Sequence, residues 1–486
     1  MTKAVVLGGG FAGVLAAKVL AGRVDEVTVV EGGRYPAGPG VRPGLPQAFH
    51  SHVLVTAGAE ALDRLLPGTL DALLARGAHR RGLSDGSLIL SADGWFRRHD
   101  TGAFLVSGSR WLLDHVIRQR ALADGAVSVR ERTRVLGLIG NTSRISGVVV
   151  AREDGSRENL HADLVVDATG RRSRAVRWLT ALGGPAIEEE VLDPGLAYST
   201  RIYRAPADLA ADIPAIMLHP RPAQGRPGHG ATLFPLEDGR WIVTLTGTRA
   251  ATPPTGEQAF TDCVHALRSP LLAELLAAAE PLGAVRPYRA TANRRRYFER
   301  GPRPEGFLVV GDALTAVNPV YSHGMSVALL GIERLEQDLA RYGADPGRLP
   351  ALQGAVAEVA DASWRMATRQ DRLRESAAAA DGGAHGAPGK DAASGAGTAP
   401  GSAAAQRARA LMSRAVLGSP ALMVDLFRTQ TLLPARSAPR PLAPSGTSGG
   451  SRPPRDTDEA VAQFPGLSEW WFSARPGRRP AVGRES

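Results

Sequence analysis

The chain has 486 residues and a single cysteine, Cys263. That excludes an intramolecular disulfide framework, a cysteine-rich zinc site and a dithiol redox pair, and makes a reducing cytoplasm the expected compartment. Cys263 lies in AFTDCVHALRSPLLAELL, which reads as helix. A buried small hydrophobe is a simpler role for it there than a nucleophile. Lysine is nearly missing, with only Lys3, Lys18 and Lys390, so the formal charge of +10 rests on arginine. Such a balance invites nucleic acid as a partner. The densest basic tract, Arg294-Arg295-Arg296, is short and no DNA- or RNA-binding motif accompanies it, so no nucleic-acid partner is expected. No apolar run is long enough to span a bilayer, and no integral membrane association is expected. Residues 4–22 resemble a signal peptide in being apolar after Lys3, but three consecutive glycines and Lys18 break the run. They read better as strand, turn and helix.

Length alone suggests two to four domains. Residues 3–31 read as strand, glycine turn, helix and strand, and residues 86–106 alternate like a hairpin turning at Asp93-Gly94. From about 195 to 290 the texture changes to strands such as GLAYSTRIYRA and GRWIVTLTGT, closed by two amphipathic helices. The expected organisation interleaves a nucleotide domain (1–85, 107–194, 291–345) with a substrate domain (the hairpin 86–106 and the sheet 195–290). C-terminal helices follow at 346–433, interrupted by an Ala/Gly/Ser-rich insert at 376–406 that is expected to be disordered. The Pro/Arg-rich tail 434–486 contains FPGLSEWWF, apolar enough to dock. There is no internal repeat.

Gly8-x-Gly10-x-x-Gly13 stands between the first strand and its helix, where a dinucleotide fingerprint must stand. The first glycine permits the tight turn, the second lets a pyrophosphate approach the backbone, and the third lets helix pack on strand. The helix N-terminus offers free N–H groups and a favourable dipole to phosphate. Glu31 ends the second strand, where a carboxylate can accept from ribose hydroxyls. A second strand-then-Gly-Asp element returns in FLVVGDALTAVNPVYSHGMS at 307–326. A nucleotide domain assembled from such distant segments suits a long ligand that crosses the fold, namely FAD. Asp312 would then bind ribityl or ribose hydroxyls. Amides around Gly324 and Met325 would face the pyrimidine end of the flavin, where reduction places negative charge, and Pro319 would brace the loop beside the ring.

These residues, with RPGLPQAFHSHVL at 42–54, Arg110 in SRWLLD, VVDATGRRS at 165–173 and ANRRRYFE at 292–299, resemble the class A flavin monooxygenases of the para-hydroxybenzoate hydroxylase fold. More narrowly, the chain resembles the flavin epoxidases of polyether-ionophore biosynthesis. The resemblance is close to about residue 335 and looser to about 433. It implies an α/β fold with α+β elements: a Rossmann-like FAD-binding domain from discontinuous segments, a β-sheet substrate domain and C-terminal helices. It implies FAD as resident cofactor, NADPH or NADH as a transient reductant and molecular oxygen as co-substrate. Arg42 and Arg110 would contact the FAD phosphates or the neighbourhood of the ring, although either could instead pair with a surface carboxylate. Val135 would touch adenine through its backbone. His50 and His52 lack a third ligand at useful spacing, so packing or a backbone contact competes with a metal or base role.

The family's usual Asp-Gly pair is Asp167-Ala168-Thr169-Gly170 here, a variant that resembles flavin halogenases and prenyl reductases. The halogenase Trp-x-Trp-x-Ile-Pro signature is absent. The expected activity is epoxidation of alkenes in a large apolar, polyketide-type small molecule. The rivals are an aromatic hydroxylase of the same fold and a non-catalytic flavin-binding protein. An alkene needs no deprotonation, so an epoxidase should present an elongated apolar tunnel without phenol-activating groups.

Overall fold

The computed structural model describes residues 1–42, 44–209, 212–221, 228–248, 251–382, 403–434 and 452–473. Its first core is a five-stranded, wholly parallel sheet in the order Phe307–Val309, Leu164–Asp167, Lys3–Leu7, Glu26–Val30 and Val127–Arg130. The strand sequences are near-continuous apolar runs, as a sheet covered on both faces requires. The helices Phe11–Ala21, Arg110–Ala121 and Gly324–Tyr342 pack together against it, and Val6, Leu7, Val29, Val165 and Leu308 lie wholly inside. The sheet thus collects strands from both ends of the domain, as the discontinuous layout predicts.

The second core is a six-stranded mixed sheet in the order Glu280–Tyr288, Ala197–Arg204, Arg240–Gly247, Gly230–Leu236, Ala215–Leu218 and Ser87–Leu90. Thr200 pairs with Thr244 and Ile202 with Ile242, so Tyr198, Thr200 and Ile202 share a face with Ile242, Thr244 and Thr246. That face looks toward the nucleotide domain, because Thr200 bonds to His50 and Tyr198 to Asn318. The opposite face carries Trp241, Val243 and Leu245, all fully buried against the helices Glu257–His265 and Leu271–Ala277. The apolar lining expected of an epoxidase is therefore present on only part of this face. The regularly alternating apolar residues serve the outer core, and hydroxyls occupy part of the inner face.

The expected hairpin at 86–106 is corrected. A tight turn does close at Ser91–Gly94, with Ser91 N–H donating to Gly94 O at 2.9 Å and Leu90 bridging Trp95. Ser87–Leu90, however, runs parallel to Ala215–Leu218. Phe104–Ser107 lies in a separate three-stranded sheet with Val53–Val55 and His79–Gly82.

The C-terminal helix Leu349–Gly382 runs past the expected start of the insert, and the next helix begins at Ala403. The rest of that insert, 383–402, lies outside the described residues, as do 435–451 and 474–486 of the tail. Within the tail, Pro465–Ser473 is a helix that buries Leu467 and Trp471 in the outer core. Cys263 is buried on its helix, and burial pushes its thiol pKa up. Among the described residues no single helix is long and apolar enough to cross a membrane.

Candidate active site

The first turn is built by glycines that nothing else can replace. Gly8 has φ +91°, and a Cβ there would stand 2.9 Å from the Ala168 carbonyl; a Cβ on Gly13 would collide with the Gly8 carbonyl. Gly10 differs. Its backbone is ordinary extended chain, φ −76° and ψ −176°, and a Cβ would meet nothing within 4 Å. Open space thus lies where a pyrophosphate would approach. The helix Phe11–Ala21 that Gly10 caps has no side-chain cap and no acid in its first turn, which leaves its N–H groups to a ligand.

Glu31 is buried and accepts from Gly9 N at 2.8 Å and Gly33 N at 2.7 Å. Its third partner is Arg42, which also donates to Gly9 O at 2.9 Å and stacks over Tyr35 with its guanidinium 4.9 Å from the ring centroid. Burial opposes ionisation of Glu31, but the charge and hydrogen bond of Arg42 and the two amides outweigh it and hold the carboxyl below its usual range. Arg42 therefore pairs with the fingerprint carboxylate itself, not with a surface acid. A carboxylate offers about four acceptor positions, so Glu31 keeps room for one ribose hydroxyl. Thr133 N donates to Glu31 O and Arg132 N to Gly33 O, each at 2.9 Å. The strand Arg134–Gly140, with Val135 half-buried in it, thus starts beside Glu31.

The second motif meets the first. A Cβ on Gly311 would lie 3.1 Å from Ala12 Cβ, and one on Gly324 3.7 Å from Asp312 Oδ1. Asp312 is partly exposed, with Arg171 Nε 3.6 Å from Oδ2. Gly324 opens the helix Gly324–Tyr342, which again has neither side-chain cap nor acid in its first turn. Met325 is buried and Pro319 exposed. Arg110 pairs with Asp114 one helical turn on, at 2.8 Å, and holds its guanidinium 5.8 Å from the Phe11 ring centroid. It is nearly buried.

Two arginines that sequence reasoning assigned no role hold this loop. Arg171 donates to Ala292 O at 2.8 Å and Val317 O at 2.5 Å, while Arg296 donates to Ala313 O at 2.8 Å and pairs with Glu189. The narrow ANRRRYFE stretch is thus a structural clasp. Asp167, the family-variant position, is wholly buried and accepts from Thr169 N at 2.9 Å and from the Thr169 and Ser173 hydroxyls. Burial pushes its carboxyl above the ordinary range against the pull of those donors. It braces a turn.

The inner sheet face presents a chain of hydroxyls. His50 Nδ1 lies 2.8 Å from Thr200 Oγ1, Thr200 Oγ1 2.8 Å from Thr244 Oγ1, and that oxygen 2.8 Å from Ser51 Oγ. His50 packs on Tyr288, whose ring stacks with Tyr198 at 6.4 Å. Burial pushes His50 down to about 4 and, with Arg110 beside it, His52 down to about 3, so both imidazoles are neutral. Tyr198 donates to Asn318 Oδ1 at 2.6 Å. Asn318 and Asn293 in turn reach the carboxylate of the wholly buried Asp371, which also accepts from Tyr321 at 2.5 Å. Among the described residues no group of acids, histidines and cysteines could hold a metal ion. His50 meets Tyr288, and Asp371 meets Asn293 and Asn318, only through contacts distant in sequence, and Tyr288 carried no motif to find it by.

The FAD binding domain family matches residues 1–370, and the chain belongs to that family. Its fold is that of the class A flavoprotein monooxygenases. It is 31% identical over 378 residues to Protein Rv3254 of Mycobacterium tuberculosis (strain ATCC 25618 / H37Rv), covering 75% of this chain and 78% of that one. Among solved structures, p-nitrophenol 4-monooxygenase PnpA from Pseudomonas putida DLL-E4 superposes with TM-score 0.61 at 19% identity, covering 89% of this chain and 98% of that chain. The Diels-Alderase PyrE3 of pyrroindomycin biosynthesis gives 0.59 at 17% identity over 89% and 81%. The flavin-dependent brominase Bmp2 gives 0.57 at 18% over 77% and 90%. At these identities the structural likeness speaks to the fold alone.

Proposed function

We propose that this protein is an FAD-dependent monooxygenase that takes reducing equivalents from NADPH or NADH and inserts oxygen into a small molecule held against the inner sheet face. The observation that carries the reading is the approach of the Gly8–Gly13 turn to Gly311, next to Asp312 and Gly324, on the loop whose Asn318 bonds to Tyr198 of that face. The residues present fit FAD: Gly10 leaves space, two helix N-termini lack caps, and Glu31 and Asp312 offer carboxylates. Backbone amides after Gly10 would hold the pyrophosphate, Glu31 and Asp312 would accept from sugar and ribityl hydroxyls, and the amides at Gly324 would meet the pyrimidine end. Bound FAD supplies hydride acceptance and oxygen activation; the protein's part is to orient the substrate and exclude water.

The hydroxyl chain bears on the substrate class. Neutral His50 with Thr200 and Thr244 can orient a substrate hydroxyl by hydrogen bonds, which favours hydroxylation of a phenol-like compound. Epoxidation of an alkene in a large apolar molecule is the second reading, and the apolar half of the same face (Ile202, Phe234, Ile242) supports it. Halogenation has less support: the Trp-x-Trp-x-Ile-Pro signature is absent, and no lysine is available for halogenase chemistry among the described residues, since Lys3 pairs with Glu26 and Lys18 with Asp124 on the surface. A buried free cysteine suits the cytoplasm. The test supplies purified yellow protein with NADPH, labelled oxygen gas, and a phenol or a terminal alkene. One labelled atom in the phenol product supports hydroxylation, and one in the alkene product supports epoxidation. Neither product, with no NADPH or NADH consumed, would indicate a flavin-binding protein that is not an oxygenase.

A further inference from the structure

We infer that the C-terminal helix Pro420–Gln430 is the far wall of the substrate site, and that its Met423 and Phe427 set the length of apolar group the site accepts. The inference rests on the reading that substrate lies against the inner sheet face. That face has two halves in register: Thr200 and Thr244 form the polar half, and Ile202 and Ile242, the next inward residues along the same strands, begin the apolar half. Phe234 continues it across Ile242. The apolar half is already covered. Met423 is wholly buried and Phe427 2% exposed, both in one cluster with Ile242 and Phe234, on which Ile202 packs. The Phe427 ring also meets that of Phe96, with centroids 5.1 Å apart.

The end of this helix is pinned to the cofactor side. His323, which precedes Gly324, lies with Nε2 2.9 Å from Gln430 O, and Ala57 N donates to Thr431 O at 3.2 Å. The wall therefore cannot recede without disturbing the loop that opens the helix at Gly324. A substrate with its hydrogen-bonding end at His50, Thr200 and Thr244 must direct any apolar remainder along Ile202 and Ile242, toward the Phe427 ring. The substrate class that fits is an amphiphile, a hydroxyl-bearing ring with a hydrocarbon substituent of limited length.

FAD-loaded wild type and Phe427→Ala are titrated with 4-alkylphenols of increasing chain length while the flavin absorption spectrum is followed. In the wild type each methylene should tighten binding about fourfold, the value of one buried CH₂, up to a limiting length beyond which binding weakens. In Phe427→Ala that limit should move outward by about three carbons, the room an aromatic ring vacates. Phe427→Leu should move it by less, and reports on the wall if the alanine variant fails to retain FAD. An unchanged limit in a variant that keeps its FAD overturns the wall. A wild-type spectrum that no alkylphenol perturbs overturns the inner-face reading, and the wall with it.

Discussion

The parallel sheet of the nucleotide domain and the mixed sheet of the substrate domain bury their strands differently. In the parallel sheet both faces are covered, and Val5, Val6 and Leu7 are all inside whichever way each points. In the mixed sheet the two faces do different work: Trp241, Val243 and Leu245 close the outer core, while Thr200, Thr244 and Tyr198 face the nucleotide domain. A strand buried on both faces constrains packing only. A strand with unlike faces carries chemistry on one of them, and which one depends on what the rest of the chain places opposite it.

The largest expected effect tests the join between the two regions. Asp371→Ala leaves donors of Tyr321, Asn293 and Asn318 without their carboxylate, and each orphaned buried group costs about 1–3 kcal/mol. Unfolding by urea should show a loss of roughly 3–5 kcal/mol; a loss below about 1 kcal/mol would mean the network is not a structural joint.

Acid should weaken the contact between the Gly324 loop and the C-terminal helices, where His323 lies against Ser363 and Gln430. His323 is held neutral at about 4 by burial, against an ordinary value near 6.5. Between those values the unfolded chain binds the extra proton, so stability is full above about pH 6.5 and falls as pH drops toward about 4. One such group contributes about 3 kcal/mol. His323→Gln should flatten part of this slope in urea unfolding measured across that range, and an unaltered slope would place the effect elsewhere.

At the cofactor end, Asp312→Ala should yield folded protein that purifies largely without its yellow colour. Loss of a charge-assisted hydrogen bond, about 1.5–3 kcal/mol, lowers affinity on the order of tenfold to a hundredfold. Equilibrium dialysis with FAD reads this, and normal occupancy at low FAD would remove Asp312 from the site.

The smallest effects compare the two faces of one strand. Val243→Thr buries a hydroxyl in the outer core and should cost about 1–3 kcal/mol of stability without altering the spectrum of bound flavin. Thr244→Val should change stability by less than about 1 kcal/mol, yet weaken binding of a phenol by about tenfold. Equal effects of the two on phenol binding would erase the distinction between the faces.

Much of the nucleotide domain was legible because its signals are local. Gly8, Gly10, Gly13, Glu31 and Asp312 each stand at a strand end within a few residues of their turn, and the structure brings them together. The partners of the arginines were not legible. Arg42 finds Glu31 only after the chain has looped back, and Arg171 reaches Ala292 and Val317 across more than a hundred residues of sequence. GLAYSTRIYRA and GRWIVTLTGT were legible as strands, but nothing in them says which face would meet the flavin site. That was set by His50 and Asn318, which lie far from those strands in sequence. The hairpin at 86–106 failed for a related reason: Ser87–Leu90 satisfies its backbone with Ala215–Leu218, a partner that no local turn signal announces.

The central claim is that FAD runs through the open space at Gly10 toward Asp312, and Gly10→Ala tests it most directly. A methyl there meets no protein atom and needs no unusual backbone, so the FAD-free protein should melt within about 3 °C of wild type, an N-cap change of about 0.5–1 kcal/mol. The same methyl would stand where the pyrophosphate approaches, so FAD affinity should fall by about tenfold or more. An unchanged melting temperature together with unchanged FAD affinity would contradict the account.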